Sequence, residues 1–224
     1  GITKKNMKEL QTYKLCVMTS GNHIWDKKET LEFIGDDYPL IRPLNYSNLL
    51  PGKGTYISEV KGEKIAIINL MGVFSMPYTS NPFIAIEKEL KEIKAQDIKN
   101  IIIDFHAEAT AEKRSLMMFL KSQVSVIFGT HTHIGTDDLE IVDNTGYITD
   151  IGLTGCNDGV IGMDAKSPIK RMLTGISSKF EINKDCEKIF QAIIFDIKDG
   201  MTTNAFKIKS INNGDFIESL KTVF

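Results

Sequence analysis

Four histidines are the residues of this 224-residue sequence whose placement could carry chemistry: His23, His106, His131 and His133. Each follows an apolar run that reads as a buried strand. His23 comes after Leu15 to Thr19, His106 after Ile101 to Phe105, and His131 and His133 after Val124 to Phe128. In α/β sheets, ligands bind in the loops at the carboxyl ends of strands. Three strand exits would therefore bring four imidazoles to one sheet edge. Neutral imidazole is a ligand for zinc, iron or manganese. One histidine alone is as readily a surface or core residue; the joint placement is what points to a site.

The neighbours of these histidines sharpen the reading. In Thr130-His131-Thr132-His133 an extended backbone would put both rings on one side, within reach of a metal cluster. In Gly21-Asn22-His23 the glycine permits a tight turn at the strand end. The asparagine carbonyl oxygen can ligate a metal, and the next histidine can face a substrate. An ordinary asparagine turn is the bland alternative. Asp104 and His106 share a side if the strand continues, and Glu108 stands where it could orient an imidazole from behind the metal. Simple solvation in a loop would explain the two carboxylates as well.

The elements that must position these residues alternate between helix and strand, which is the α/β pattern. Tyr56 to Val60 and Ile65 to Leu70, around Lys61-Gly62-Glu63, read as a hairpin. Ile86, Leu90 and Ile93 fall at helical spacing within Ile84 to Lys94. Asn100 to Phe105 suits a buried strand, as does Val124 to Phe128. Lys27 to Ile34, Glu112 to Leu120 and Pro168 to Thr174 read as helices. Tyr147 to Asp150, Phe190 to Ile197 and Phe206 to Ile211 read as further strands.

Composition limits the function classes. A formal net charge of -2 gives no strong footprint for nucleic acid and none for membrane surfaces. It does not exclude a small phosphorylated substrate, since a bound metal brings its own charge. No apolar run is long enough to span a bilayer. Cys16, Cys156 and Cys186 are scattered, odd in number and without a CxxC pair, which argues against a disulfide framework and for a reducing cytoplasm. No GxSxG elbow or P-loop is present.

The blocks Gly21-Asn22-His23, His106 and Gly129-Thr130-His131-Thr132-His133 together resemble the calcineurin-like metallophosphoesterases. Those enzymes carry a GNH block, a later single histidine and a terminal GHTH block. The extra threonine in the last block, together with Asp104-Phe105-His106-Ala107-Glu108-Ala109-Thr110, resembles the YmdB-like branch. So do Trp25-Asp26-Lys27, Pro51-Gly52-Lys53-Gly54 and the stretch from Tyr147-Ile148-Thr149-Asp150 through Gly162-Met163.

The resemblance implies an α/β fold, a four-layer α/β/β/α sandwich, with residues 1–224 as one domain. It also implies that this domain is N-terminally incomplete. The family's opening strand with a metal-binding aspartate, and a Gly-Glu-Asn block whose glutamate bridges two metals, would stand ahead of Gly1. By the same resemblance Asn22, His106 and His131 ligate one divalent transition metal ion (Fe, Mn or Zn) and His133 ligates a second. His23 donates a proton to the leaving oxygen. The implied activity is hydrolysis of cyclic-nucleotide phosphodiesters, such as 2′,3′-cyclic nucleotides, by a metal-activated hydroxide. A small nucleotide substrate is the implied partner, and an edge left open by the absent strand implies homo-oligomerisation. A non-catalytic metal- and nucleotide-binding regulator is the alternative. A single-zinc hydrolase on His131 and His133 would leave Asn22 and His106 without a purpose.

Overall fold

The computed structural model of the chain describes all residues except 36–37, 184 and 222–224. Two sheets organise it. The first has six strands in the order β1-β2-β3-β4-β6-β5: β1 (Thr55–Val60), β2 (Glu63–Met71), β3 (Asn100–His106), β4 (Val126–Thr130), β5 (Glu140–Val142) and β6 (Thr145–Ile148). The second runs β10-β9-β8-β7: β7 (Gly155–Cys156), β8 (Lys188–Lys198), β9 (Met201–Ile211) and β10 (Ile217–Lys221).

The register of the first sheet is what builds a site. β2, β3, β4 and β6 are parallel, with β1 and β5 added antiparallel at the two edges. Met71, His106 and Thr130 stand side by side at the carboxyl ends of their strands. The three loops that follow therefore leave from one edge. At the opposite end the β1–β2 hairpin closes over Lys61 and Gly62, both at positive φ, as a two-residue turn matched to strand twist requires.

Helix α3 (Pro82–Lys94) starts with proline in its first turn behind Asn81, whose side chain accepts hydrogen bonds from the Phe83 and Ile84 amides. It buries Ile86, Leu90 and Ile93. Helix α4 (Thr110–Leu120) buries Lys113, Leu116, Met117 and Leu120. These stripes pack with Ala66, Ile68, Ile101, Ile103 and Ile127 of the parallel strands to form the main core. On the other face Leu139, Ile148 and Phe128 meet Ala205, Ile193 and Phe195 of the second sheet. Helix, sheet and sheet thus lie in successive layers, as the α/β class expected. Helix α5 (Lys166–Thr174) buries only Pro168 and ends at Gly175 in the left-handed conformation.

A third apolar cluster gathers Met7 of α1 (Lys4–Gln11), Phe33 of the one-turn α2 (Thr30–Phe33), Ile24, Leu40, Tyr46 and Met71. Helix α1 was not foreseen, although Thr3 supplies a sequence-readable cap by accepting from the Asn6 amide.

Three expectations need correcting. Leu15 to Thr19 is not a strand: it makes a single parallel bridge, Met18 to Leu40, and Leu15 is exposed. The helix expected over Lys27 to Ile34 shrinks to Thr30–Phe33. Cys156 and Cys186 are joined as a disulfide with their Cα atoms 5.7 Å apart, despite the odd cysteine count, and Cys16 is free. Chain separation hid that pairing, since the partners stand 30 positions apart.

Candidate metal centre

The turn Gly21-Asn22-His23 closes with the Ile24 amide donating to the Gly21 carbonyl. Gly21 is needed because His106 lies against it: a Cβ there would sit 2.3 Å from the imidazole ring. Asn22 Oδ1 lies 2.9 Å from His106 Nε2, and His131 Nδ1 lies 3.1 Å from the same nitrogen. The two rings meet edge-on with centroids 4.8 Å apart. Side chains from a turn, from the end of β3 and from the loop after β4 therefore converge on one point.

The groups behind the rings decide which atoms face that point. Thr130 donates its hydroxyl proton to Asp104 Oδ1 at 2.7 Å, so its oxygen accepts from His106 Nδ1 at 3.0 Å. That leaves a lone pair on His106 Nε2. On the other side His131 Nε2 lies 3.1 Å from Glu108 Oε2, which holds the proton there and leaves a lone pair on Nδ1. The inner point is thus lined by an amide oxygen and two imidazole lone pairs, all acceptors. A proton does not fill the gap near neutrality. Burial, reinforced by the charges of His131 and Lys113, pushes His106 down to about 3, and burial also lowers His131. Three converging acceptors with no donor fit a cation of the nitrogen- and oxygen-binding transition series.

Asp104, which simple loop solvation would have explained, is instead 2% exposed. Burial raises it to about 6, against the hydrogen bonds of Thr19 and Thr130. It acts through Thr130 rather than at the inner point.

His131 and His133 correct another expectation. The segment is not extended: His131 has φ 102° and His133 φ 62°, so the rings are not placed by strand alternation. Thr132 explains the contortion. Its amide and its hydroxyl both donate to Asp150 Oδ2, at 3.1 and 2.8 Å. Asp150 is locked in turn by Lys113 Nζ at 2.9 Å, with both side chains only 1% exposed. Left-handed backbone at non-glycine residues is costly and persists where the surroundings over-determine it. Gly129 completes the fit, since a Cβ would lie 1.8 Å from the Thr149 carbonyl oxygen and close to the Lys113 side chain.

His133 stands apart from the trio. Its Nδ1 donates to the Ile161 carbonyl at 2.8 Å, which leaves Nε2 as the lone-pair nitrogen. His23 is the outermost of the four: its side chain is 71% exposed, with Nδ1 2.8 Å from Asp26 Oδ2. Both rings are near enough to act electrostatically on His106.

A family model for YmdB-like proteins matches residues 1–211. The chain belongs to the YmdB-like family. It is similar to a 2′,3′-cyclic-nucleotide 2′-phosphodiesterase of Bacillus subtilis, 39% identical over 94% of this chain and 79% of that protein. Among solved structures it resembles a hypothetical protein from Thermus thermophilus (TM-score 0.88, 31% identity, 94% of this chain and 82% of the other). It also resembles a novel phosphatase of Mycoplasma pneumoniae (TM-score 0.86, 31% identity, 94% and 77%).

The structure adds supporting residues that the histidine pattern did not reveal. Lys113 and Asp150 hold the His131–His133 loop, and Glu112 accepts from the Val73 amide at 2.9 Å to hold the loop after β2. A signal for Lys113 did exist. It sits on the apolar stripe of α4 with Leu116, Met117 and Leu120, where a lysine needs a buried partner.

Proposed function

We propose that the protein is a metal-dependent phosphodiesterase that opens cyclic-nucleotide phosphodiesters, with 2′,3′-cyclic nucleotides as the substrate class. The observation that carries this reading is the convergence of Asn22 Oδ1, His106 Nε2 and His131 Nδ1 as three acceptors around one point. The similarity to the Bacillus subtilis cyclic-nucleotide phosphodiesterase supplies the substrate class.

In this reading Asn22, His106 and His131 hold one divalent transition metal (Fe, Mn or Zn), and His133 belongs to a second. Bound metals supply Lewis-acid activation of water and neutralise charge on the phosphoryl oxygens. The chain's own residues do the rest. Glu108 and Thr130 fix the tautomers of His131 and His106, so that no proton must leave an inner nitrogen when a metal enters. Lys113 and Asp150 keep the loop rigid through Thr132. His23, outside the trio, donates a proton from its outward nitrogen to the leaving alkoxide. Asp26 on its Nδ1 stabilises the charged ring before transfer.

The test is hydrolysis of a 2′,3′-cyclic nucleotide before and after exhaustive chelation, followed by Mn²⁺, Fe²⁺ or Zn²⁺. Turnover should vanish and return with metal. Undiminished turnover without metal would overturn the proposal. Metal and nucleotide binding with no turnover in any metal would establish a regulatory binder instead.

A further inference from the structure

The disulfide and the outlying histidine are joined by a short stretch of chain. β7 pairs with the start of β8, Cys156 opposite Lys188, and the Asn157 amide donates to the Glu187 carbonyl at 2.8 Å. Cys156, 3% exposed, is bonded to Cys186 beside that pairing. Further on, the Asp164 amide donates to the Glu181 carbonyl at 2.7 Å, so residues 157 and 164 are each tied to the second segment, at 187 and 181. Between these anchors Val160 and Met163 bridge a tight turn with Ile161 (φ 47°) and Gly162 (φ 92°) at its tip. The tip is where the Ile161 carbonyl accepts from His133 Nδ1.

His133 is therefore oriented by a turn whose base is tied by the disulfide. The trio has no such dependence, since its partners Glu108, Thr130 and Asp104 lie on or beside β3 and β4.

We propose that Cys156 and Cys186 form a reversible redox clamp that sets the affinity of the metal position served by His133. Two thiols and one molecule of a peroxide such as H₂O₂ give the disulfide and two waters. A dithiol or a phosphine reductant restores both thiols. In the oxidised chain the turn is held and Ile161 presents its carbonyl to His133. In the reduced chain β7, only two residues long, is left with its backbone pairing and the hydrogen bond that the Asn157 side-chain amide donates to the Glu187 carboxylate. The turn then moves more freely, and His133 loses its fixed tautomer and ring direction. Groups that orient a metal-binding histidine in this way are worth about 10- to 100-fold in metal affinity. Cysteine pairs in reducing compartments are commonly sensors of this kind. The inference rests on the proposed role of His133 as a metal ligand.

The experiment first counts free thiols by alkylation and mass spectrometry. One (Cys16) is expected after peroxide treatment and three after reduction with a phosphine, which ligates hard divalent metals poorly. Mn²⁺ binding is then titrated by calorimetry on the oxidised chain, the reduced chain, Cys156→Ser/Cys186→Ser and His133→Ala. The weaker of two binding events should fall about tenfold or more on reduction. The double serine variant should show the low value under both conditions, which also removes thiols as competing ligands. His133→Ala should abolish that event whatever the redox state. Loss of the event in His133→Ala, combined with identical affinity in both redox states of the wild type, would overturn the clamp. Three free thiols after peroxide would do the same. An unchanged titration in His133→Ala would instead overturn the ligand role on which the clamp depends. Comparing redox states of the wild type keeps the test decisive if the serine variant misfolds.

Discussion

The inner trio and the outer pair of histidines are held in opposite ways. His106 and His131 sit at the ends of adjacent parallel strands, Asn22 is brought against them by the turn after Gly21, and each imidazole has a carboxylate or hydroxyl fixed behind it. His133 hangs from one backbone carbonyl, and His23 from one carboxylate in solvent. The difference separates preorganisation from adjustability. Donor atoms fixed by a sheet edge can wait for a cation without rearranging. A histidine held through a turn answers to whatever holds the turn, and an exposed imidazole is free to exchange protons with solvent.

The contrast breaks most severely at the buried pair. Lys113→Met leaves Asp150 charged, buried and without its counterion. Removing one partner of such a pair costs about 3–5 kcal/mol. The lower end is expected here, because the Thr132 amide and hydroxyl and the Gly152 amide still donate to Asp150. Urea unfolding should show that loss, and calorimetry should show both metal positions weakened, since the loop carries His131 and His133 alike. A variant of wild-type stability would mean that Lys113 is not what fixes the loop.

His23→Ala sharpens the contrast from the other side. It should leave metal content unchanged while kcat falls on the order of 10²–10⁴ for a cyclic nucleotide, whose leaving alkoxide needs a proton. With a nitrophenyl ester the loss should be far smaller. Equal losses on both substrates would remove His23 from the proton-donor role, and metal loss would make it a ligand.

Glu108→Gln tests the trio alone. The amide no longer holds the His131 proton as a charge-assisted acceptor, so the first metal should bind about 10- to 100-fold more weakly. The second should be nearly unaffected. Equal weakening at both positions would show that the trio and His133 are not independent.

The smallest effect is expected from Asp26→Asn. Its partner His23 is 71% exposed, so water screens the pair, and exposed ion pairs are worth little. The change in kcat should stay within a few-fold. A loss as large as that of His23→Ala would mean that Asp26 positions the imidazole.

Much of this arrangement was readable from residues in order. A run such as Ile101-Ile102-Ile103 suits a buried strand, and the spacing of Ile86, Leu90 and Ile93 suits a helix face, because both periodicities are local properties of the backbone. The blocks around His106 and His131 could be placed at strand exits for the same reason. Local pattern failed where length was short or the partner distant. Leu15 to Thr19 has strand-like residues, yet finds only the bridge from Met18 to Leu40. The HxH spacing suggested an extended segment, but Asp150 pulls Thr132 inward and turns the backbone left-handed at both histidines.

By itself, then, the sequence determined the secondary-structure types, the strand ends and the residue types able to take a cation, all properties of neighbours within a few positions. Only the tertiary structure decided which nitrogen of each imidazole faces the centre, because the proton's place depends on Thr130, Glu108 and Ile161 lying behind the rings. It alone decided that Lys113 is a buried counterion and that Cys156 meets Cys186. Those contacts join residues 23 to 37 positions apart, and such distances close only when the sheet brings the strands together.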